Sequence, residues 1–161
     1  MTADRRPEHE HVRPLVALGL MTAAFGALVI CALGVTSLLL DQDVIGVPGL
    51  GQIPGVIGTA FAIGAFALVV WLTLRRPRPS YGGAAIAAVV TALAYALGVW
   101  FGAVISGADL AAAAGAAGGV LISWFGVVIA LSAFVCAWAA VALVRTNARR
   151  PRWPWEDPDD E

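Results

Sequence analysis

Arg75-Arg76-Pro77-Arg78-Pro79 is a short cationic turn set between two long apolar runs. Three guanidinium groups do not enter hydrocarbon unpartnered, and two prolines withhold backbone donors from any helix that tries to continue through them. The chain therefore leaves the apolar phase at this turn. Upstream, Leu15 to Leu40 and Val56 to Leu74 contain no Asp, Glu, Lys, Arg or His, and downstream the same is true of Tyr81 to Ser106 and Gly119 to Val144.

A hydrocarbon core about 30 Å thick is crossed by roughly 20 helical residues, and each run is long enough. A soluble helical protein would show polar positions at every third or fourth residue, and these runs do not. Hydrophobic residues make up 60% of the chain and charged residues 13%, with a mean hydropathy of +0.83. The expected fold class is all-α: a polytopic membrane protein with four transmembrane helices arranged as two hairpins, one on each side of the turn. The domain plan is an N-terminal tail at 1–14, a four-helix transmembrane domain at 15–144 and a basic, aromatic and acidic tail at 145–161. The spans are placed at 15–40, 56–74, 81–106 and 119–144.

Orientation follows from charge. All ten cations are Arg, with three before the first span, three in the central turn and four after the last span, and none in the two remaining connections. Cytoplasmic segments collect Lys and Arg, so both termini and the central turn are expected in the cytoplasm, in a multi-pass protein of the cell membrane. The absence of Lys alongside abundant Ala, Gly and Val reads as codon preference. Formal net charge is −1, and no nucleic-acid partner is expected. The first apolar run is longer than the 7 to 15 residues of a signal-peptide core and is expected to stay as a span.

Helix-packing positions are read from small residues at four-residue spacing, which let helices approach closely where lipid removes the hydrophobic drive. Gly19, Ala23 and Ala27, continued by Cys31, form one such stripe, and Ala94, Gly98 and Gly102, continued by Ser106, form another. Trp71, Tyr81 and Trp124 fall at span ends, where amphipathic rings sit best. Tyr95 lies midway along the third span, so its hydroxyl needs a partner: a neighbouring helix or a polar cavity.

Outside the spans, Asp41, Asp43 and Asp109 are the candidate residues of an outer acidic lip, the alternative being solvated turn residues. The Pro/Gly-rich segment Val47 to Gly55 is expected to be non-helical, as an interfacial cap or a hairpin turn. Ser106 or Asp109 is expected to cap a short Ala-rich helix ending near Ala117, broken by Gly118-Gly119. In the C-terminal tail, Arg149, Arg150, Arg152, Trp153 and Trp155 are candidate contacts for anionic lipid or for a cytoplasmic partner. Glu8-His9-Glu10-His11 carries metal-ligating side chains but no rigid scaffold, and neither a metal nor a cofactor is expected. Cys31 and Cys136 fall at different depths, about 24 Å and 12 Å from the cytoplasmic side at 1.5 Å per residue, so no disulfide is expected between them.

The spans lack the intramembrane carboxylate of proton-coupled exporters, and no C-x-x-C, H-E-x-x-H or G-x-S-x-G sequence is present. Arg-Arg-Pro recurs at 5–7, 75–77 and 149–151, with Thr22-Ala23 and Thr91-Ala92 similarly placed, which either a duplicated hairpin or shared topological pressure would produce.

With four spans, a short basic tail and the ending Arg152-Trp153-Pro154-Trp155-Glu156, the chain resembles the small uncharacterised four-span membrane proteins of high-GC bacteria. That resemblance is one of layout and implies no activity. The function expected is that of a non-enzymatic accessory or assembly subunit acting by helix packing. Its partners are the lipid bilayer and a membrane protein or further copies of itself. The alternatives are an oligomeric channel or carrier for a small solute, and an envelope enzyme that would need Asp41, Asp43 and Asp109 to converge.

Overall fold

The computed structural model describes residues 14–45, 51–75 and 81–145. Among them the chain is all-helical, with α1 Pro14–Leu40, α2 Ile53–Leu74, α3 Gly82–Ile105, α4 Leu110–Ile122 and α5 Trp124–Arg145. Four of these, α1, α2, α3 and α5, are long and apolar enough to cross a membrane. The tail residues Glu8 to His11, most of the central arginine turn, the segment 46–50 and the tail residues Arg149, Arg150, Arg152, Trp153 and Trp155 lie outside the described residues.

The long helices pack as neighbours in the order α1, α2, α3, α5, with α5 returning to α1 and α2 touching α5 across the middle. The most extensive pairing joins α2 to α3, across the arginine turn, while α1 meets α2 over a smaller surface. Phe25 and Phe66 make the principal aromatic link between α1 and α2, stacked with centroids 4.5 Å apart. Around them the core is filled by Val29, Val70, Ala87, Val99, Ile129 and Ala140.

On α2 the buried residues are Pro54, Gly58, Ala62, Phe66, Val70 and Leu74, one every fourth position. Because a helix turns about 100° per residue, a period of four advances by roughly 40° per step. The buried stripe therefore winds around α2, facing α3 at Gly58 and α1 at Phe66.

Helix ends explain the connections. α1 stops where Asp41 takes a left-handed φ of 50°, and the Gln42 N–H donates to the Ser37 carbonyl at 3.2 Å. α3 stops the same way at Gly107, φ 91°, with Ala108 N–H donating to Ala103 O and Gly107 N–H to Val104 O. Both are left-handed caps that satisfy otherwise orphaned carbonyls.

Two boundaries differ from the sequence reading. Ile53, Pro54 and Gly55 belong to α2 instead of the non-helical segment, because proline in the first turn withholds only a donor the helix does not use. The Ala-rich helix does not stop at Gly118-Gly119. It runs through both to Ile122 and breaks at Ser123, so the fourth long helix begins at Trp124 instead of Gly119. Glycine weakens a helix without forbidding it, whereas the extended backbone of Ser123, φ −90° and ψ 170°, ends one outright. Gly126 permits that junction, since a Cβ there would lie 2.6 Å from the Val120 carbonyl oxygen.

Candidate functional site

The small residues predicted to pack helices fall into two different places. Gly98 and Gly102 are buried in the α2–α3 seam, where a Cβ on Gly98 would lie 2.7 Å from Gly58 Cα and one on Gly102 would lie 2.6 Å from Pro54 Cα. At the other end of the same pair, a Cβ on Gly83 would lie 2.5 Å from Thr73 Cγ2. Pro54 with Gly102, Gly58 with Gly98 and Thr73 with Gly83 keep a single antiparallel register over the length of both helices. Gly83 carries no packing signal in the sequence, and Pro54 and Gly58, though evident as a loop proline and a small residue near the outer end of the second span, are not marked there as partners of α3. The signal available was the period-four run Pro54, Gly58, Ala62, which reads as a partner stripe for Gly98 and Gly102. Ala94 sits half-buried beside that seam.

Gly19, Ala23 and Ala27 are instead exposed on α1, and nothing lies within 4 Å of a Cβ built on Gly19. Cys31 is exposed on the same helix, Cys136 is buried on α5, and both are free thiols.

Tyr95 finds its partner in a helix and not in a cavity. Its side chain is fully buried against α2, and its hydroxyl pairs with the side chain of Thr59. Thr59 Oγ1 also donates to the Gly55 carbonyl of its own helix at 2.9 Å. Thr73 and Ser106 likewise donate back to the carbonyls of Val69 and Gly102. The hydroxyls of Thr22 and Thr91 are buried without a partner.

Of the candidate acidic lip, Asp109 is committed elsewhere. Its carboxylate accepts from the backbone N–H groups of Ala111 at 2.9 Å and Ala112 at 2.8 Å, as the N-cap of α4. Asp41 serves the left-handed turn that ends α1, and Asp43 is exposed beyond it. Among the described residues no three His, Cys, Asp or Glu side chains gather to hold a metal ion, so the three acids do not converge.

Aromatic rings mark both ends of the long helices. Arg75 lies 4.1 Å from the Trp71 ring centroid, and Tyr81 stacks on Trp138 at 6.0 Å. Towards the other end Trp100 and Phe101 contact one another, Phe101 stacks on Phe61, and Trp124 opens α5. At the arginine-turn end, the gap between α2, α3 and α5 lined by Val70, Thr73, Gly83, Ala137 and Val141 has no room for a water molecule.

An all-helical chain with four helices long and apolar enough to cross a bilayer, girdled by aromatic rings, has the layout of a multi-pass membrane protein. It belongs to the family of unknown function DUF6121, which it matches over residues 3–161. No curated protein and no solved structure matches it.

Proposed function

We propose that the protein is a non-enzymatic subunit of the cytoplasmic membrane that works through helix packing, assembling with another membrane protein or with further copies of itself. The observation that carries this reading is the contrast between two small-residue stripes. The one on α3 is filled by α2 at Gly58 and Pro54, whereas the one on α1, at Gly19, Ala23 and Ala27, has no helix against it among the described residues. A smooth face is the usual means of close helix approach in lipid, and α1 is also the least buried of the four long helices.

The absence of water-sized space in the gap between α2, α3 and α5 near the arginine turn and the use of Asp109 as a cap support packing over conduction or catalysis. In this reading the four long helices form an up-and-down bundle with both termini and the arginine turn in the cytoplasm, as the distribution of Arg requires. The tail from Arg149 to Glu161, with Trp153 and Trp155, is a second contact, either with anionic lipid or with a cytoplasmic partner.

The experiment is affinity capture in mild detergent from membranes expressing the full chain, a chain lacking 149–161, and a chain with Gly19→Leu and Ala23→Leu. Loss of a stoichiometric partner or of self-association in the α1 variant supports the proposal. Identical capture from all three chains overturns it.

A further inference from the structure

Among the helices, α4 is the one whose position neither length nor charge explains. Its thirteen residues are all Leu, Ala, Gly, Val or Ile. One side, carrying Ala113, Ala116 and Val120, is buried, and among the described residues the helix packs on α3 and α5 alone. The opposite side is open, with Leu110 65% exposed and Ile122 91% exposed. A short helix that faces water carries a charged or polar stripe on its outer side, and α4 has none.

Its polar groups are confined to its two ends. Asp109 caps the first turn, and Ser123 Oγ donates to the Val120 carbonyl at the last. The backbone between them bonds within the helix, which is the condition that hydrocarbon imposes.

We propose that the open face of α4 is covered by lipid, with the helix lying at the boundary between acyl chains and headgroups on the side of the membrane where α3 ends and α5 begins. The inference rests on the membrane reading of the four long helices. Continuity with their lipid-facing surface identifies the occupant. On one side α4 follows Ile105, which is 64% exposed at the end of α3, and on the other it passes through Ser123 directly into Trp124, 69% exposed at the start of α5. Trp124 in turn lines an apolar cleft of about 240 Å³ with Thr36, Leu39, Leu40 and Val128, between α1 and α5. The apolar surface thus runs from one span through α4 to the next two. An indole at this junction has its ring in the chains and its N–H at the headgroups. At about 20 Å long, α4 is too short to cross the hydrocarbon and returns to the side it entered from.

Gly115 and Gly118 report on the open face, because nothing lies within 4 Å of a Cβ at either position. In a chain carrying Cys31→Ala and Cys136→Ala, single cysteines are placed by Gly115→Cys, Gly118→Cys, Leu93→Cys in mid-span and Gln42→Cys in the loop, and each is labelled with bimane. The full-length protein is reconstituted in nanodiscs of phosphatidylcholine with or without brominated chains, and aqueous iodide is added separately. Bromine is expected to lower emission at 115 and 118 by at least half the loss seen at 93, with iodide acting only at 42. Iodide quenching at 115 and 118 would show that the face meets water and would overturn the proposal. Quenching there by neither reagent, with 93 still quenched by bromine, would show a protein covering and overturn it equally. Failure of bromine at 93 itself would strike the membrane reading, and so is distinguishable from failure of the α4 inference alone.

Discussion

Gly102 of α3 lies so close to Pro54 of α2 that a Cβ on the glycine would stand 2.6 Å from the proline Cα. The two helices therefore touch backbone to backbone, with Gly98 against Gly58 one turn further on. Close approach of this kind maximises dispersion contacts where no hydrophobic drive separates helix from lipid.

Gly102→Ala and Gly98→Ala are expected to destabilise the fold, because the added methyl meets backbone that cannot rotate away. Overpacking of this sort costs about 1 to 3 kcal/mol. Gly64→Ala, on the same pair of helices but with nothing within 4 Å of the new Cβ, is expected to be neutral. Thermal unfolding in a mild detergent, followed by circular dichroism, separates the two outcomes.

Asp109 is an N-cap in the structure, and this makes a prediction about charge. Asp109→Ala should cost about 0.5 to 2 kcal/mol of local stability, while Asp109→Asn, which keeps an accepting oxygen, should cost much less. Hydrogen exchange at the amides of Ala111 and Ala112 is the direct readout. If Asn were as damaging as Ala, the carboxylate charge would matter beyond capping.

The buried hydroxyls divide into two sets with opposite signs. Tyr95→Phe and Thr59→Val should each destabilise the α2–α3 pair, with a coupling of about 0.6 kcal/mol in a double-mutant cycle, as is usual between membrane helices. Thr91→Val removes a hydroxyl that is buried and unpartnered, and should be neutral or stabilising by about 1 kcal/mol. Unfolding by detergent titration of the three single variants and the Tyr95→Phe, Thr59→Val double variant tests both signs at once.

How much of this was legible in the sequence depended on which force set each feature. Spans defined by partition between lipid and water were readable, because twenty uncharged residues in a row leave few alternatives. Helix ends set by local backbone chemistry were less so. Gly118-Gly119 reads as a break and is not one, while Ser123, which does break the helix, is unremarkable in sequence. The direction a stripe faces was not readable at all. Gly19, Ala23 and Ala27 have the same spacing as Gly98 and Gly102, yet one set faces outward and the other is buried, because facing is decided by which helices become neighbours. The partner of Tyr95 was likewise a matter of register between α2 and α3, which the residues of α3 alone do not specify.

Orientation is testable separately from packing. Fusions of a reporter active only in the cytoplasm, placed after Glu161 or within 76–80, should be active, and the same reporter inserted between Asp41 and Asp43 or at Gly107 should be silent. An export-dependent reporter should give the complementary pattern. The reverse pattern would invert the bundle and move α4 to the cytoplasmic leaflet, while leaving the helix contacts unchanged.

The outward stripe of α1 gives the sharpest test of assembly. Gly19→Leu and Ala23→Leu fill a face that is exposed among the described residues, so the stability of the isolated protein should change by less than about 0.5 kcal/mol. Association should nevertheless be lost, because the bulky side chains hold an incoming helix away. Should the partner be a second copy, mild oxidation in membranes should join two chains through the exposed Cys31, while buried Cys136 stays unreacted. That cross-link should disappear in the Ala23→Leu chain as well as in Cys31→Ala. If it persists undiminished with leucine at 23, the two helices do not meet along this stripe, and α1 faces lipid alone.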